Sequence, residues 1–579
     1  IMSEIKYIKE KQYLQKLFSE YADKAPHLAS VLDPQDPQTS YLLEGFAFLS
    51  ARLQDKIDDA FPEITLPLLQ RLNSQAIKGL PSTTIIQIDQ SEILPYPMEI
   101  NEKHLVIGDN GAQFSFCHNF TIMPYSILDR KITQHPNHSC ISLEILYRGD
   151  VELTQTNALN VFLGENKTTS DILLLAFSQY FEKIEVVHNG ERYEGDPLNY
   201  AFEPKIGNDY KIFPQKNNSF SAPQRLLEGL YLPHVHHFIE LDIPQIVTQL
   251  DWKQQQRFVV NIYFSQQLPL TQEECNQSFF LNCAPAIDSE AKHTLLIDFK
   301  KNKSSYLLPI PTHHYLADLD KIELSLEPHE LARGIYCHFY PTTELTAASR
   351  LMPQFHKAIF YSLTMEKNIT GHTLYYLNFF DNKGDPMVTP PSLHFACVYI
   401  GFEQYKRNEL GLLNKHSEKM PDAVKTGNIT LLSSCYPPIV NNHHFWKLLS
   451  HYSANGSMLM SLDTIKHMIS DYILYRDTDR QITRKCERLL NGLVELKTHL
   501  YDYILKGKPY RCLSLSLFID ETQYENRGEA FVFTTHLYHF FPFCLSENML
   551  LEMSVTLNDQ KNTTWYLSPS PLRGYKSMI

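Results

Sequence analysis

His234-Val235-His236-His237, followed by Glu240, is the strongest metal candidate in the sequence, because imidazoles joined by a carboxylate can complete a zinc shell. On a strand, His234 and His236 would share one face. No remote Cys or His pair at ligand spacing accompanies them, and motifs this short recur by chance, so structural histidines are the preferred reading. His313-His314 and His443-His444 are read in the same way. Asp58-Asp59 and Asp520-Glu521 could do acid–base work. The first pair falls on the wet face of an expected helix and the second at a strand end, which makes both solvated charges. Gly164-Glu165-Asn166 follows a strand, as a phosphate loop would, but lacks the lysine. GxSxG, HExxH and a phosphate-cradling glycine loop are absent from the sequence. The expectation is therefore no catalytic residue, no cofactor and no metal.

The elements that position these residues begin with a helical N-terminus. Leu42, Leu43, Phe46, Leu49, Leu53 and Ile57 recur at steps of three and four, which places them on one stripe of a helix that must bury against something. Asp36 or Thr39 can cap its start, and Phe61-Pro62 stops it. Glu44, Arg52, Gln54, Asp55, Asp58 and Asp59 form the opposite, wet face. A preceding helix carries Ile5, Ile8, Leu14, Leu17, Phe18 and Tyr21, and a following one Leu66, Leu69, Leu72 and Ala76. Such a small bundle has little core of its own, and helices of this kind often borrow partners.

Residues 36–62 resemble, almost position for position, the N-terminal signature of the TssF family, baseplate subunits of the bacterial type VI secretion system. A second island, residues 219–242, is similar to another stretch of that family and keeps Leu226, Leu227, Glu228, Pro233 and Phe238, while Gly229, Leu230 and Tyr231 depart from its aromatic centre. A third keeps Leu281, Cys283, Pro285 and Ile287, and a fourth keeps Trp446, Leu448, Leu449, Ser450, His451, Ser461 and Leu462. The C-terminal block, residues 512–557, matches through Asp520 and Asn548, with Arg511-Cys512 where the family has arginine-glycine.

With 579 residues and 43% hydrophobic content the chain can bury a large core. Net charge is −13 with 20% charged residues, so no global positive field is available to hold nucleic acid or an anionic membrane. The 33 Tyr and 33 Phe against 21 Gly favour β-rich structure and also suit interfaces. The 10 cysteines are scattered without a CxxC pair, as expected for reduced thiols in the cytosol. Residues 3–24 are too charged for a signal-peptide core, and no apolar run is long enough to span a bilayer.

From Pro81 the texture is that of strands, at 83–89, 104–108, 113–117, 142–149 and 257–264. A strand–helix–strand unit interrupts them, with strands at 159–163 and 184–187 around a helix at 170–181 capped by Thr169 or Ser170. Asp463 is expected to cap a helix burying Ile465, Met468, Ile469 and Tyr472. From Ile482 to Tyr503 the apolar spacing says helix, while Asn491-Gly492 says stop; the reading is helix through Leu490 and strand from Leu493. Residues 512–521 alternate as a half-buried strand.

The expected fold class is α+β, a helical bundle over residues 1–80 followed by β-rich domains with interspersed helices at 81–290 and 291–440 and a C-terminal α/β domain at 441–579. The resemblance implies a non-catalytic subunit of a cytoplasmic baseplate wedge docked at an inner-membrane complex. Its implied partners are TssG, with two copies of this chain to one TssG, together with TssK, TssE, the spike hub and neighbouring wedges. The stripe Leu42, Leu43, Phe46, Leu49, Leu53 and Ile57 is the expected partner-binding surface. The alternative is a β-rich cytosolic enzyme with a site of unfamiliar type.

Overall fold

The computed structural model describes most residues from Lys78 to Lys576, with interruptions that include 90–95, 150–157, most of 196–221, 244–255, 326–337 and 343–357. N-terminal to Lys78 it describes only Tyr41, Glu44, Gly45, Phe46, Leu49 and Leu69, all helical. The expected three-helix bundle lies outside the described residues as a whole. The chain divides into two compact units, Ile1–Arg71 with Asn441–Leu449, and Leu72–Val440 with Ser450–Ile579.

The helix Asn442–His451, which belongs to the smaller unit only as far as Leu449, buries Phe445 and Leu448 while Trp446 stays 45% exposed.

The larger unit is built on sheets. Thr83–Asp89 and Cys283–Asp288 pair antiparallel, Thr83 opposite Ile287, at the heart of a six-stranded sheet. Cys283–Asp288 is buried at every position and Thr83–Asp89 at all but Gln87 and Asp89, so both faces of this part of the sheet are covered. The sheet also takes Lys415–His416 and Lys425–Asn428 from the stretch assigned by sequence to a separate region. A five-stranded sheet joins Glu191–Glu194, Phe181–His188, Gln256–Phe264, His138–Tyr147 and Tyr125–His135. In His138–Tyr147 every second residue is buried, so this sheet has one dry and one wet face. Further on, a three-stranded and a four-stranded sheet share one core of Tyr306, Leu377, Phe379, Phe395, Cys397 and Tyr399, with the Phe379 and Phe395 rings 5.0 Å apart edge to face.

Helix α1 (Lys167–Leu175) continues into a π turn, Ala176–Tyr180. It starts three residues earlier than expected, because Asn166 rather than Thr169 or Ser170 accepts the first backbone N–H groups, from Thr168 and Thr169. Helix α2 (Ala222–Tyr231) carries the second island of family-like residues. Helix α3 (Leu462–Ser470) buries Ile465, Met468 and Ile469, with Tyr472 just beyond it also buried. Its cap is Ser461 and not Asp463, which lies in the first turn, where its negative charge complements the positive helix end. Helix α4 (Arg480–Asn491) ends at Gly492 and passes into the strand Leu493–Leu505, as the Asn-Gly step indicated.

Helix α5 (Arg527–Phe540) lies in a stretch, residues 529–544, for which the sequence suggested no element. Its Phe, Val, Thr and Tyr content favours strand, yet Asn526 caps it and nearly its whole circumference is buried. It joins Lys508–Ile519 to Met549–Leu557, which pair in parallel and so need a crossover of this length. Phe531 meets Trp565 edge to face and the Tyr538 hydroxyl donates to the Leu551 carbonyl, so one face of the C-terminal sheet is covered by α5.

Candidate interaction site

Of the six residues of the expected partner-binding stripe, Phe46 and Leu49 are described, and each is 60% exposed on its helix. Leu42, Leu43, Leu53 and Ile57 lie outside the described residues, as do Asp58 and Asp59. Phe46 and Leu49 stand three positions apart, which puts them side by side on one helix face. Tyr41 is 75% exposed in the same helical stretch.

The second island proves to be architecture. Leu226 and Leu227 are fully buried, and Glu228, 1% exposed, accepts from the Gln224 amide one turn earlier. Gly229 departs from the family's aromatic centre for a steric reason. A Cβ on it would stand 2.5 Å from the ring of His536 on α5. Gly528, at the start of α5, makes the corresponding close approach to α1, where a Cβ would fall 2.3 Å from the Asp171 backbone.

Two buried carboxylates, Asp171 and Glu529, meet partly exposed cations between these helices. Lys167 Nζ stands 2.9 Å from Asp171 and 2.9 Å from Glu529, Arg488 stands 3.0 Å from Glu529, and His237 lies 3.0 Å from Asp171. Burial alone would raise the Asp171 carboxyl, but the hydrogen bond with His237 and the nearby Lys167 outweigh it and hold it below its ordinary value. Glu529 behaves alike: burial raises it, and Lys167, the Glu525 N–H and Arg488 bring it down. For Lys167 burial works downward and the two carboxylates prevail, so its ammonium is held above the ordinary range. His536 is neutral, pushed far down by burial and then by neighbouring histidines.

The histidine motif disperses. Pro233–His236 is a 3-10 turn, not a strand, so its imidazoles diverge. His234 Nε2 meets the Thr83 hydroxyl at 3.1 Å, His236 Nδ1 the Lys205 carbonyl at 2.9 Å, and His237 meets Asp171. Burial holds His234 down at about 3. Glu240 pairs with Lys205. Among these contacts the four residues converge on no common point. Asp520 caps the turn Glu521–Gln523 by accepting from the Thr522 amide and hydroxyl, and Glu521 pairs with Arg527. Gly164 has φ +122° and its carbonyl accepts from Ser170, while Asn166 caps the helix end that a phosphate would need. His451 bridges the Tyr472 hydroxyl and Asp471, at 3.4 and 3.2 Å. His314, by contrast, meets Glu403, a residue far along the chain that no local spacing could have linked to it.

One face of the C-terminal sheet carries hydroxyls and rings instead of aliphatics. Ser514, Ser516 and Ser554 alternate with buried leucine, methionine and valine, His499 stacks on Tyr501 at 6.1 Å, and Tyr566 is 72% exposed beside the buried Trp565. Alternation of this kind is what an open sheet face requires. Its tyrosines present apolar area with a polar tip, the composition of a contact surface.

Comparison with known proteins gives the chain's relatives. A segment of 87 residues is 34% identical to the type VI secretion system component TssF1 of Pseudomonas aeruginosa PAO1, covering 14% of each protein. Two solved structures share the fold. A chain of the type VI secretion system TssK-TssF-TssG baseplate subcomplex, determined by cryo-electron microscopy, superimposes with a TM-score of 0.67 at 18% identity over 91% of this chain and 98% of that one. A chain of the baseplate complex from the type VI secretion system does so with 0.55 at 16% identity, over the whole of both. The family described as "Type VI secretion system, TssF" matches residues 4–571, nearly the entire length, and the chain belongs to that family.

Proposed function

We propose that this chain is a non-catalytic structural subunit of the type VI baseplate wedge, assembling with a TssG-like subunit, TssK and TssE around the spike hub and against neighbouring wedges, in the cytoplasm at an inner-membrane complex. The family match over residues 4–571 carries this reading. It is supported by the fate of the residues that carry the resemblance. Leu226, Leu227, Glu228, His451, Ser461 and Asp520 are spent on cores, caps and buried hydrogen bonds rather than gathered around a cavity. No helix among the described residues is long and apolar enough to cross a membrane.

Two copies per TssG-like subunit are proposed as well. One sequence must then satisfy two unlike environments, which a stripe docked by non-directional burial can do, whereas a charge-paired interface demands one geometry. The exposed Phe46 and Leu49 are of that apolar kind. Co-expression with the neighbouring TssG-like product, followed by native mass spectrometry, tests both statements. A two-to-one complex is expected. A one-to-one complex would refute the copy number, and an isolated monomer with no complex would refute the assembly role itself.

A further inference from the structure

At one end of the three-stranded sheet that joins Ala291–Asp298, His394–Glu403 and His314–Ser325, nitrogen and carboxylate ligands converge. His314 opens its strand directly opposite Glu403, the last residue of the central one. Its Nε2 lies 2.9 Å from Glu403 Oε2, and the Nε2 of His313 lies 4.0 Å from the same oxygen. One ligand atom from each of the three fits within 4.8 Å of the others. We propose that His313, His314 and Glu403 form a binding site for a divalent transition metal of the zinc type, a role outside the assembly function proposed above.

Ligand atoms bound about 2.0–2.2 Å from a tetrahedral zinc stand roughly 3.4 Å from one another. The observed 2.9 and 4.0 Å bracket that separation, so small side-chain movements close the shell. His313 can make the larger one, since its side chain is 58% exposed at a turn closed by the His314 N–H donating to the Pro311 carbonyl. Glu403 is held from behind, its backbone N–H donating to the Asp288 carboxylate at 3.2 Å.

Two imidazoles and one carboxylate select zinc, nickel or copper over magnesium and calcium, which prefer all-oxygen shells. Zinc ligation needs both imidazoles neutral, so binding is expected to weaken as pH falls. The His293 ring, stacked on Tyr399 at 5.1 Å, lies 5.1 Å from that of His314 and walls the site on the sheet side. The His313 side chain is 58% exposed, so the cluster is reachable from solvent.

The His313–Glu403 contact, with side chains 58% and 35% exposed, adds little stability of its own. The test uses the full chain stripped with chelator and then titrated with zinc by calorimetry. The protein holds 25 His and 10 Cys, so parent and variants are compared directly. The parent is expected to bind one equivalent in the low micromolar range. His313→Ala and Glu403→Gln are expected to weaken that binding at least roughly tenfold, with unchanged circular dichroism and melting. X-ray absorption at the zinc edge should report nitrogen and oxygen ligands with two imidazoles. Binding that is unaltered in both variants, a shell dominated by sulfur, or no stoichiometric zinc in the parent would each overturn the proposal.

Discussion

Replacing Lys167 by methionine keeps the apolar stem and deletes the ammonium that stands 2.9 Å from both Asp171 and Glu529. At an effective dielectric near 20, unit charges at that 2.9 Å attract by roughly 6 kcal/mol, much of it offset by the cost of drying the ions. Deleting one partner removes the attraction and leaves the carboxylates dry, which is why breaking such pairs costs about 3–5 kcal/mol. Asp171 retains His237 and Glu529 retains Arg488. The Lys167 side chain is also 29% exposed, against 1% and 3% for the carboxylates, so water already screens part of its field. The expected loss is therefore about 3 kcal/mol.

The pH dependence distinguishes this cause from simple repacking. Asp171 and Glu529 titrate below their ordinary 3.8 and 4.5, so the stability they lend is present above those values and is lost as pH falls through the lowered ones. Lys167 titrates above 10.5, and its contribution is present below 10.5 and lost as pH rises through the raised value. Without the ammonium both carboxylates shift upward, so the variant is protonated earlier on acidification and the gap to the parent narrows. Urea unfolding followed by tryptophan fluorescence, with the buried Trp565 as a reporter against α5, should show a large difference at pH 7.5 and a smaller one at pH 4.5. Equal midpoints at pH 7.5, or a gap that widens in acid, would refute the account.

Gly528→Ala should cost about 3 kcal/mol or more, because the new Cβ meets the Asp171 backbone at 2.3 Å and neither helix can yield; an unchanged melting temperature counts against that packing. Asn166→Ala should cost about 1 kcal/mol by removing the acceptor for the Thr168 and Thr169 amides, read as a shift in the urea midpoint. Phe46→Asp replaces an exposed ring, so the chain alone should melt as the parent does. Burial of that ring in a complex is worth about 1.5–3 kcal/mol, and a charge in its place adds to the penalty, so binding to the TssG-like partner should weaken at least roughly a hundredfold. Normal complex yield on size-exclusion chromatography would defeat that prediction.

Local pattern was enough wherever one segment's own chemistry decided its state. Thr83–Asp89, Gln256–Phe264 and Lys508–Ile519 are strands because their side chains suit a pleated surface, and the Asn491-Gly492 step marks the point where the helix gives way to a strand. Family membership was legible too, since residues 36–62 resemble the family signature almost position for position and the family model matches residues 4–571. Tertiary structure decided what depends on distant groups. Residues 529–540 carry strand-forming side chains yet lie in a helix, because the parallel pairing of Lys508–Ile519 with Met549–Leu557 demands a crossover and burial outweighs propensity. His234, His236 and His237 adjoin in sequence but a 3-10 turn points them at Thr83, Lys205 and Asp171, while His314 and Glu403 are brought together only by strand register. Sequence spacing reports side-chain direction only once the backbone period is known, and that period is set at such places by contacts from elsewhere in the chain.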